Sequence, residues 1–595
     1  MKIPNVRRFL PSWKNALLAV IAAILLILAF PDFEYWFLAW FALVPLLWAV
    51  DREKESATKS FVLGWIFGIV FFFGTCWWLT FAPITYAGFP VLLAYFLLFC
   101  VTAIVGVFPA AFAAILSVLL KRFGSVAMLA APFIWAATEF ARYWITGNNW
   151  NAIAYSQAFG GKGLSLASIG GIYLIGFSVL VNQSIIVFLL TAKRFIHDSK
   201  TTKPYLLLWF YTFGIFGLAN REVREKAEEF NKSESENRLI KLYVILAIFF
   251  ILVGLVAEAF VPKNRDSKPF DNVSSGAFVV AIQPDVPMDG LNPDKWGQLR
   301  TEHVKLAENA VQTNASKFVK SETDIYSKPD AIGQDKSFYD EFFKKEFEKQ
   351  PKVVIFPESP MNFMFAEDQE FQAFIHAFAA KNNVNVLFNS AEPDPANKKY
   401  FNSAVMVDPQ GREVAQYDKI YLLPFGESVP FPLQNFMPAL VGSFSYGKDY
   451  TLFPLGDAKA GVMICFESHF PDLSREYVRR GADAIIEMTN DGYLGPTPVL
   501  RQHLANAVFR AVETNRPVLR VTNVGITAYI NEQGKIIDPA KPYTEDTRVW
   551  TVGKSDGSQT FYVKYGDWFA WLSVIVTVVF LTFAFWKKDR KLANS

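Results

Sequence analysis

The chain has 595 residues, of which 52% are hydrophobic, 16% aromatic and 19% charged. Soluble domains carry about 25% charged residues, so this composition excludes an ordinary soluble enzyme of that length, and equally a disordered chain. A net charge of +3 without a clustered basic face excludes a nucleic-acid partner.

The apolar content is unevenly placed, which divides the chain into a membrane domain over 1–260, a soluble domain over 261–566, and a closing helix with a tail over 567–595. A bilayer-crossing helix needs about 20 apolar residues. Eight stretches answer to this: 15–31, 34–50, 60–82, 89–120, 125–145, 164–192, 239–260 and 567–586. Pro109 predicts a kink inside the long fourth stretch. Lys2, Arg7 and Arg8 followed by an apolar run read as an uncleaved first helix, because no small-residue cleavage site follows. Basic residues gather before the first span, at Arg52, Lys54 and Lys59, at Lys121 and Arg122, over 193–241, and at Lys587, Lys588, Arg590 and Lys591. This alternation sets both chain ends in the cytoplasm and 261–566 outside, the periplasm of a bacterium. The apolar piece 204–219, flanked by Lys203 and Arg221, is expected to lie at the interface or re-enter. Glu139 and Arg142, three apart within a span, are expected to pair on one helix face.

Residues 261–275 read as a linker. Strands are predicted at 276–283, 352–357, 384–389, 403–408, 460–466, 483–488 and 517–522. Helices are predicted at 295–318, 366–381, 470–480 and 498–515. The alternation predicts an α/β domain. The polar segment 319–345 reads as an insertion or mobile loop.

Of three cysteines, Cys76 and Cys100 fall in apolar stretches and read as packing residues; no disulfide framework or metal site can be built from the set. Cys465 closes an apolar run, VMICFES. Glu358 follows another in VVIFPESP, where α/β active sites collect. Lys419 and Glu427 lie in YDKIYLLPFGESVP. Singly, each of these has a bland reading: a buried strand thiol, a turn carboxylate, a solvated lysine. Together, a cysteine, a glutamate and a lysine at strand exits match the triad of the nitrilase superfamily. Glutamate can take the thiol proton, and lysine can hold the thiolate and oxyanion. A Cys–His pair is the competing reading: His469 stands four residues on, at the expected start of a helix it would cap, and His503 lies on an amphipathic helix.

The whole arrangement resembles the apolipoprotein N-acyltransferase family. FPES carries Glu358, YDKIYLLPFGESVP carries Lys419 and Glu427, and ICFESHFP carries Cys465, Phe466 and Glu467. The runs TNDGYLG and QHLANAVFRAVETNRPVLRVTNVGITA, and PFIWAATEFAR in the membrane part, are also similar to family stretches. The resemblance implies a polytopic helical membrane bundle carrying an αββα nitrilase-like domain. Implied too is acyl transfer from a membrane phospholipid, through a thioester on Cys465, to the N-terminal amine of a diacylglyceryl apolipoprotein. Glu358 would be the base and Lys419 the electrostatic stabiliser. Glu427, Phe466, Glu467 and Trp296 would support them. No cofactor or metal is implied, and a monomer in the bacterial inner membrane is expected. The alternatives are a membrane-anchored amidase acting on a small soluble substrate and a non-catalytic transporter or scaffold.

Overall fold

The computed structural model describes residues 9–31, 33–160, 163–196, 276–288, 293–326, 336–358, 364–429 and 443–592. The expected span 239–260, the segment 204–219 and the linker 261–275 lie outside these. The described residues form two compact units.

The first unit holds the residues up to Trp77, residues 95–196 and the chain from Asp567. Its long elements are the apolar helices Trp13–Ala29, Ala57–Thr75, Val91–Val105 from Tyr95 on, Val107–Phe123, Ala131–Thr146, Ala167–Ile196 and Trp568–Leu592. Ala57–Thr75, Leu164–Phe188, Trp568–Trp586 and the interrupted stretch Val91–Thr146 are long and apolar enough to cross a membrane. Two expectations change. Residues 34–50 form no spanning helix, only a 3₁₀ turn, Trp36–Trp40, and a helix, Val44–Arg52. Nine residues rise roughly 14 Å, under half of a hydrocarbon core of about 30 Å. The break in the long stretch falls at Gly106, with Pro109 in the first turn of the helix that follows, where its missing N–H is tolerated. The break serves packing. A Cβ on Gly68 would lie 2.7 Å from the Gly106 Cα, and one on Gly64 2.3 Å from the Pro109 carbonyl oxygen. Small residues four apart let two backbones touch where lipid offers no hydrophobic drive.

Glu139 and Arg142 attract each other through space but make no direct hydrogen bond or ion pair. The Glu139 carboxylate accepts from the Ile153 N–H at 2.9 Å. Arg142 donates to the Trp150 carbonyl at 2.7 Å and to Asn149 at 2.8 Å. Both side chains fasten the 149–153 loop, whose backbone needs polar partners inside an apolar bundle.

The second unit holds Trp78–Ala94 and the described residues from 276 to Gly566. Its strands are β1 (Ala277–Gln283), β2 (Lys352–Ile355), β3 (Asn385–Asp394), β4 (Lys399–Val407), β5 (Glu413–Asp418), β6 (Phe444–Ser445), β7 (Leu452–Leu455), β8 (Ala458–Ile464), β9 (Ala484–Thr489), β10 (Val518–Thr522), β11 (Ala528–Ile530), β12 (Ile536–Ile537) and β13 (Asp546–Val552). They make two sheets of like design. One runs β13-β1-β2-β3-β4-β5, with β6 beside β4; the other runs β12-β11-β10-β9-β8-β7. In each, three parallel strands stand at the centre (β1, β2 and β3; β8, β9 and β10) and antiparallel strands flank them. Four of these, β1, β2, β9 and β10, are apolar-rich and buried along their whole length, as covered parallel strands must be. Helices Pro293–Tyr326 and Gln369–Asn382 cover the first sheet through Ala307, Val311, Phe371, Ile375 and Phe378. Helices Pro471–Arg479 and Val499–Thr514 lie against the second. This is the αββα architecture expected of the soluble region. The segment 319–345 is no loop where it is described: 319–326 continue the helix from Pro293, and 336–345 belong to the helix Lys336–Lys349.

Candidate active site

The site gathers at the carboxyl ends of parallel strands, where diverging connections leave an opening. β8 ends at Ile464, and Cys465 opens a 3₁₀ turn, Cys465–His469, with φ +52°. A side chain in the left-handed region costs about 1–2 kcal/mol, so the turn is held from outside. Glu467, fully buried, supplies one hold: its Oε2 accepts from the Ile464 N–H at 2.8 Å. Its Oε1 accepts from the Tyr417 hydroxyl at 2.6 Å and from the N–H groups of Ile420 and Tyr421 at 2.7 and 3.0 Å. One carboxylate thereby ties the nucleophile turn to the chain carrying Lys419.

Lys419 directly follows β5 and is buried. Its backbone is fixed on both sides: its N–H donates to the Asn402 carbonyl at 2.9 Å, and its carbonyl accepts from the Gly447 N–H at 2.8 Å. The ammonium lies 2.8 Å from Glu427 Oε1 and 3.4 Å from Glu358 Oε1. Glu358, three residues beyond β2 and buried, accepts from the Asn490 N–H on its other oxygen at 3.2 Å. Glu427 also accepts from the Leu423 N–H at 2.7 Å. Asn402, on β4, bridges the two carboxylates, its Nδ2 standing 3.1 Å from Glu358 Oε1 and 2.7 Å from Glu427 Oε1. Asn389 orients it by donating from Nδ2 to its side-chain Oδ1 at 2.7 Å.

The electrostatics follow from enclosure. Burial and the Glu358 carboxylate push the Cys465 thiol well above its ordinary range, against the opposing pull of Lys419 and of the Thr489 hydroxyl. The resting sulfur therefore keeps its proton. Burial opposes the Lys419 charge, but Glu427 and Glu358 outweigh it and hold the ammonium. Burial pushes the Glu467 carboxyl up to about 7, against Lys419 and its hydrogen-bond donors. A protonated thiol, a carboxylate that can take its proton, and a fixed cation make a nucleophilic site that needs no imidazole.

Glu358, Lys419, Glu427 and Glu467 thus come together around Cys465. Phe466 is buried, its ring edge-on to His469 and Phe470 at 5.1 and 5.3 Å. Trp296 sits half-exposed in the first turn of Pro293–Tyr326, and among the described residues no polar or ring contact joins it to the triad. His469 does not cap the following helix, whose N-cap is Phe470. Nor does the Cys–His reading hold: His503 turns its Nε2 to the Cys465 carbonyl oxygen and its Nδ1 to Asp491.

Asn402 was not singled out from the sequence; its only signal is a polar residue inside a buried strand, as in FNS. Thr489 and Asn490 fall in the run TNDGYLG, quoted for its resemblance but with no role given to either residue. Also unforeseen is the segment following Trp77. Trp78 donates to Gln502 Oε1 at 3.1 Å, and the Phe81 ring lies against Gly495, where an added Cβ would stand 2.4 Å from it. The Tyr86 ring meets Tyr493 at 6.1 Å. These contacts brace the 3₁₀ turn Asp491–Leu494, next to the Asn490 N–H that holds Glu358.

Fold and site together define an enzyme of the carbon–nitrogen hydrolase (nitrilase) class, and the profile of that family matches residues 291–560. The profile for the apolipoprotein N-acyltransferase N-terminal domain matches residues 22–185. The apolipoprotein N-acyltransferase of Geobacter metallireducens is 27% identical over 97% of this chain and 96% of its own. That of Thermotoga maritima is 37% identical over 38% of this chain and 43% of its own. A crystal structure of Saccharomyces cerevisiae Nit3, of the nitrilase superfamily, is 18% identical over 49% of this chain and 93% of its own, with a TM-score of 0.30. The chain belongs to the apolipoprotein N-acyltransferases, membrane acyltransferases of the nitrilase superfamily.

Proposed function

We propose that the protein acylates the N-terminal amine of diacylglyceryl-cysteine apolipoproteins in two half-reactions through Cys465, with a membrane phospholipid as donor. In the first, Glu358 takes the thiol proton while sulfur attacks the ester carbonyl. The C–O bond breaks, and the lysophospholipid leaves as an alcohol carrying that proton. In the second, the amine nitrogen attacks the thioester, Glu358 accepts its proton, the amide forms, and the thiolate leaves and is reprotonated. Lys419 faces negative charge on sulfur or carbonyl oxygen in each tetrahedral intermediate. Glu427 and Glu467 hold Lys419 and the nucleophile turn, Phe466 packs that turn, and Trp296 stays a supporting residue on the strength of the resemblance.

The reading includes a monomer in the bacterial inner membrane, with 1–260 and 567–595 as membrane parts and 261–566 in the periplasm. Each buried methylene of a lipid is worth about 0.8 kcal/mol, so an enzyme anchored in the bilayer avoids extracting either substrate. The observation that carries the proposal is the buried Glu358–Lys419–Glu427 cluster, of which Glu358 and Lys419 act on the Cys465 thiol. Incubating the full-length protein with a labelled phospholipid and measuring the mass of the Cys465 peptide tests it. A thioester-linked acyl group, absent in Cys465→Ala, is expected. An unmodified thiol together with turnover of small amides would replace this reading with the amidase.

A further inference from the structure

His503, on the helix Val499–Thr514, is buried, and no step above uses it. Its Nδ1 lies 2.7 Å from Asp491 Oδ1. Its Nε2 lies 3.1 Å from the Cys465 carbonyl oxygen, 2.9 Å from Ser468 Oγ and 3.1 Å from Glu487 Oε1. A carbonyl oxygen only accepts. Asp491 also accepts from Arg520 Nη2 at 2.8 Å, which marks it as an ionised acceptor. A neutral imidazole has a single N–H and would set a lone pair against one of these oxygens. Hydrogen on both nitrogens gives each side of the ring a donor, whereas with Nδ1–H alone only the Ser468 hydroxyl could donate to Nε2, whose lone pair would still face the Cys465 carbonyl and Glu487.

We propose that His503 is a positioning residue, held as an imidazolium, that fixes the strained nucleophile turn by donating its Nε2–H to the Cys465 carbonyl. The groups around it agree. Asp491 on the turn after β9 and Glu487 on β9 face it as carboxylates; Arg520 on β10 is the opposing cation; the His469 ring stacks on it at 5.4 Å. Burial and Arg520 oppose the ring's charge, Asp491 and Glu487 outweigh them, and the imidazole is pushed up to about 9. His469, with no such carboxylates, is driven well below its usual range by burial and by His503, and stays neutral. His503 therefore takes no proton from sulfur. It holds the carbonyl behind the sulfur, so that Cys465 keeps the φ of +52° that aims its side chain.

The inference rests on Cys465 being the acylated nucleophile, and the experiment separates the two. Thioester formation on Cys465 is followed in a single turnover from pH 6 to 10, for the full-length wild type and for His503→Gln, with thermal melting of each. The wild type should lose rate through one proton step near pH 9. His503→Gln keeps an N–H donor but no titratable charge. It should be slower by about 10–100-fold, the scale of a small misplacement of a reacting group, without that step. Equal rates and equal pH profiles in folded wild type and variant would overturn the inference and leave the acyltransferase reading intact. No thioester in the wild type would overturn that reading itself. If His503→Gln does not fold, the wild type carries the test: a rate that holds through pH 10 overturns the inference, and a single step near 9 supports it.

Discussion

Replacing Lys419 by methionine removes one charge from a cluster that water does not reach. The lysine side chain is 1% exposed, and its carboxylate partners Glu358 and Glu427 are 8% and 6% exposed. At an effective dielectric of about 20, a separation of 2.8 Å corresponds to a gross attraction of about 6 kcal/mol, and 3.4 Å to about 5 kcal/mol. Desolvation of the three ions offsets most of this in the intact protein. In the variant the two carboxylates share Asn402 with no cation between them, and stranding a buried ion in this way costs about 3–5 kcal/mol. Lys419→Met should therefore melt well below the wild type. Its Cys465 acylation should fall about 10²–10³-fold, the loss expected for one missing stabiliser of developing charge. The double variant Lys419→Met/Glu427→Gln separates the two effects. It removes one stranded charge, so part of the stability should return while acylation stays low. Intact-mass analysis of the thioester and differential scanning of the purified proteins read both quantities. A single variant as stable as the wild type, or a double variant no more stable than the single, would refute the electrostatic account of this cluster.

Other outcomes follow from the same geometry. Asn402→Leu removes the donor shared by Glu358 and Glu427; hydrogen bonds to charged groups contribute about 1.5–3 kcal/mol, so the denaturation midpoint should drop and acylation slow, and an unchanged midpoint would count against the bridge. Cys465→Gly and Cys465→Ala should both lose the thioester, but the glycine variant should be the more stable by roughly 1 kcal/mol, since only alanine keeps a Cβ at φ +52°. Equal melting temperatures would show that the turn is not strained. Glu467 is raised from 4.5 to about 7 and His503 from 6.5 to about 9, so each contributes stability present below its unfolded value and lost as pH rises through its folded one. The melting temperature should accordingly fall from pH 6 to pH 9.5, and a rise over that window would contradict both shifts.

All seven strands read from the sequence fall on observed strands, β1 to β4 and β8 to β10. Six of these are the parallel centres of the two sheets, where burial on both faces demands an apolar run. The missed strands are antiparallel or marginal: β5 reads EVAQYD, and β13 reads DTRVWTV with mixed exposure. Pairing rather than composition makes them strands. Glu358, Lys419 and Cys465 were legible because their residue types carry chemistry and stand beside apolar runs or turns. Asn402 was not, since an amide inside a strand has no periodic signature and acts only through two carboxylates, 25 and 44 residues away in sequence. The stretch 34–50 misled because hydropathy measures apolarity, whereas a 3₁₀ turn and a nine-residue helix can bury apolar residues without crossing anything.

Enclosure of the site bears on transfer as against hydrolysis. A thiol pushed up by burial does not rest as a free thiolate, so on the proposed reading it attacks when a carbonyl arrives and Glu358 accepts the proton in the same event. The carboxylates that could activate water are already committed: Glu427 to Lys419, Asn402 and the Leu423 N–H, and Glu467 to Tyr417 and three backbone N–H groups. Glu358, whose charge acts on the thiol as that of Asp491 also does, has one oxygen held by the Asn490 N–H and the other by Lys419 and Asn402. On the proposed reading, whatever stands at that carboxylate during the thioester stage decides the product. An amine delivered there on a lipid-anchored chain competes with water at an effective concentration that bulk solvent does not set. On that reading the acyl group leaves sulfur for a nucleophile the bilayer delivers, and a buried cluster whose other carboxylates are committed serves that end.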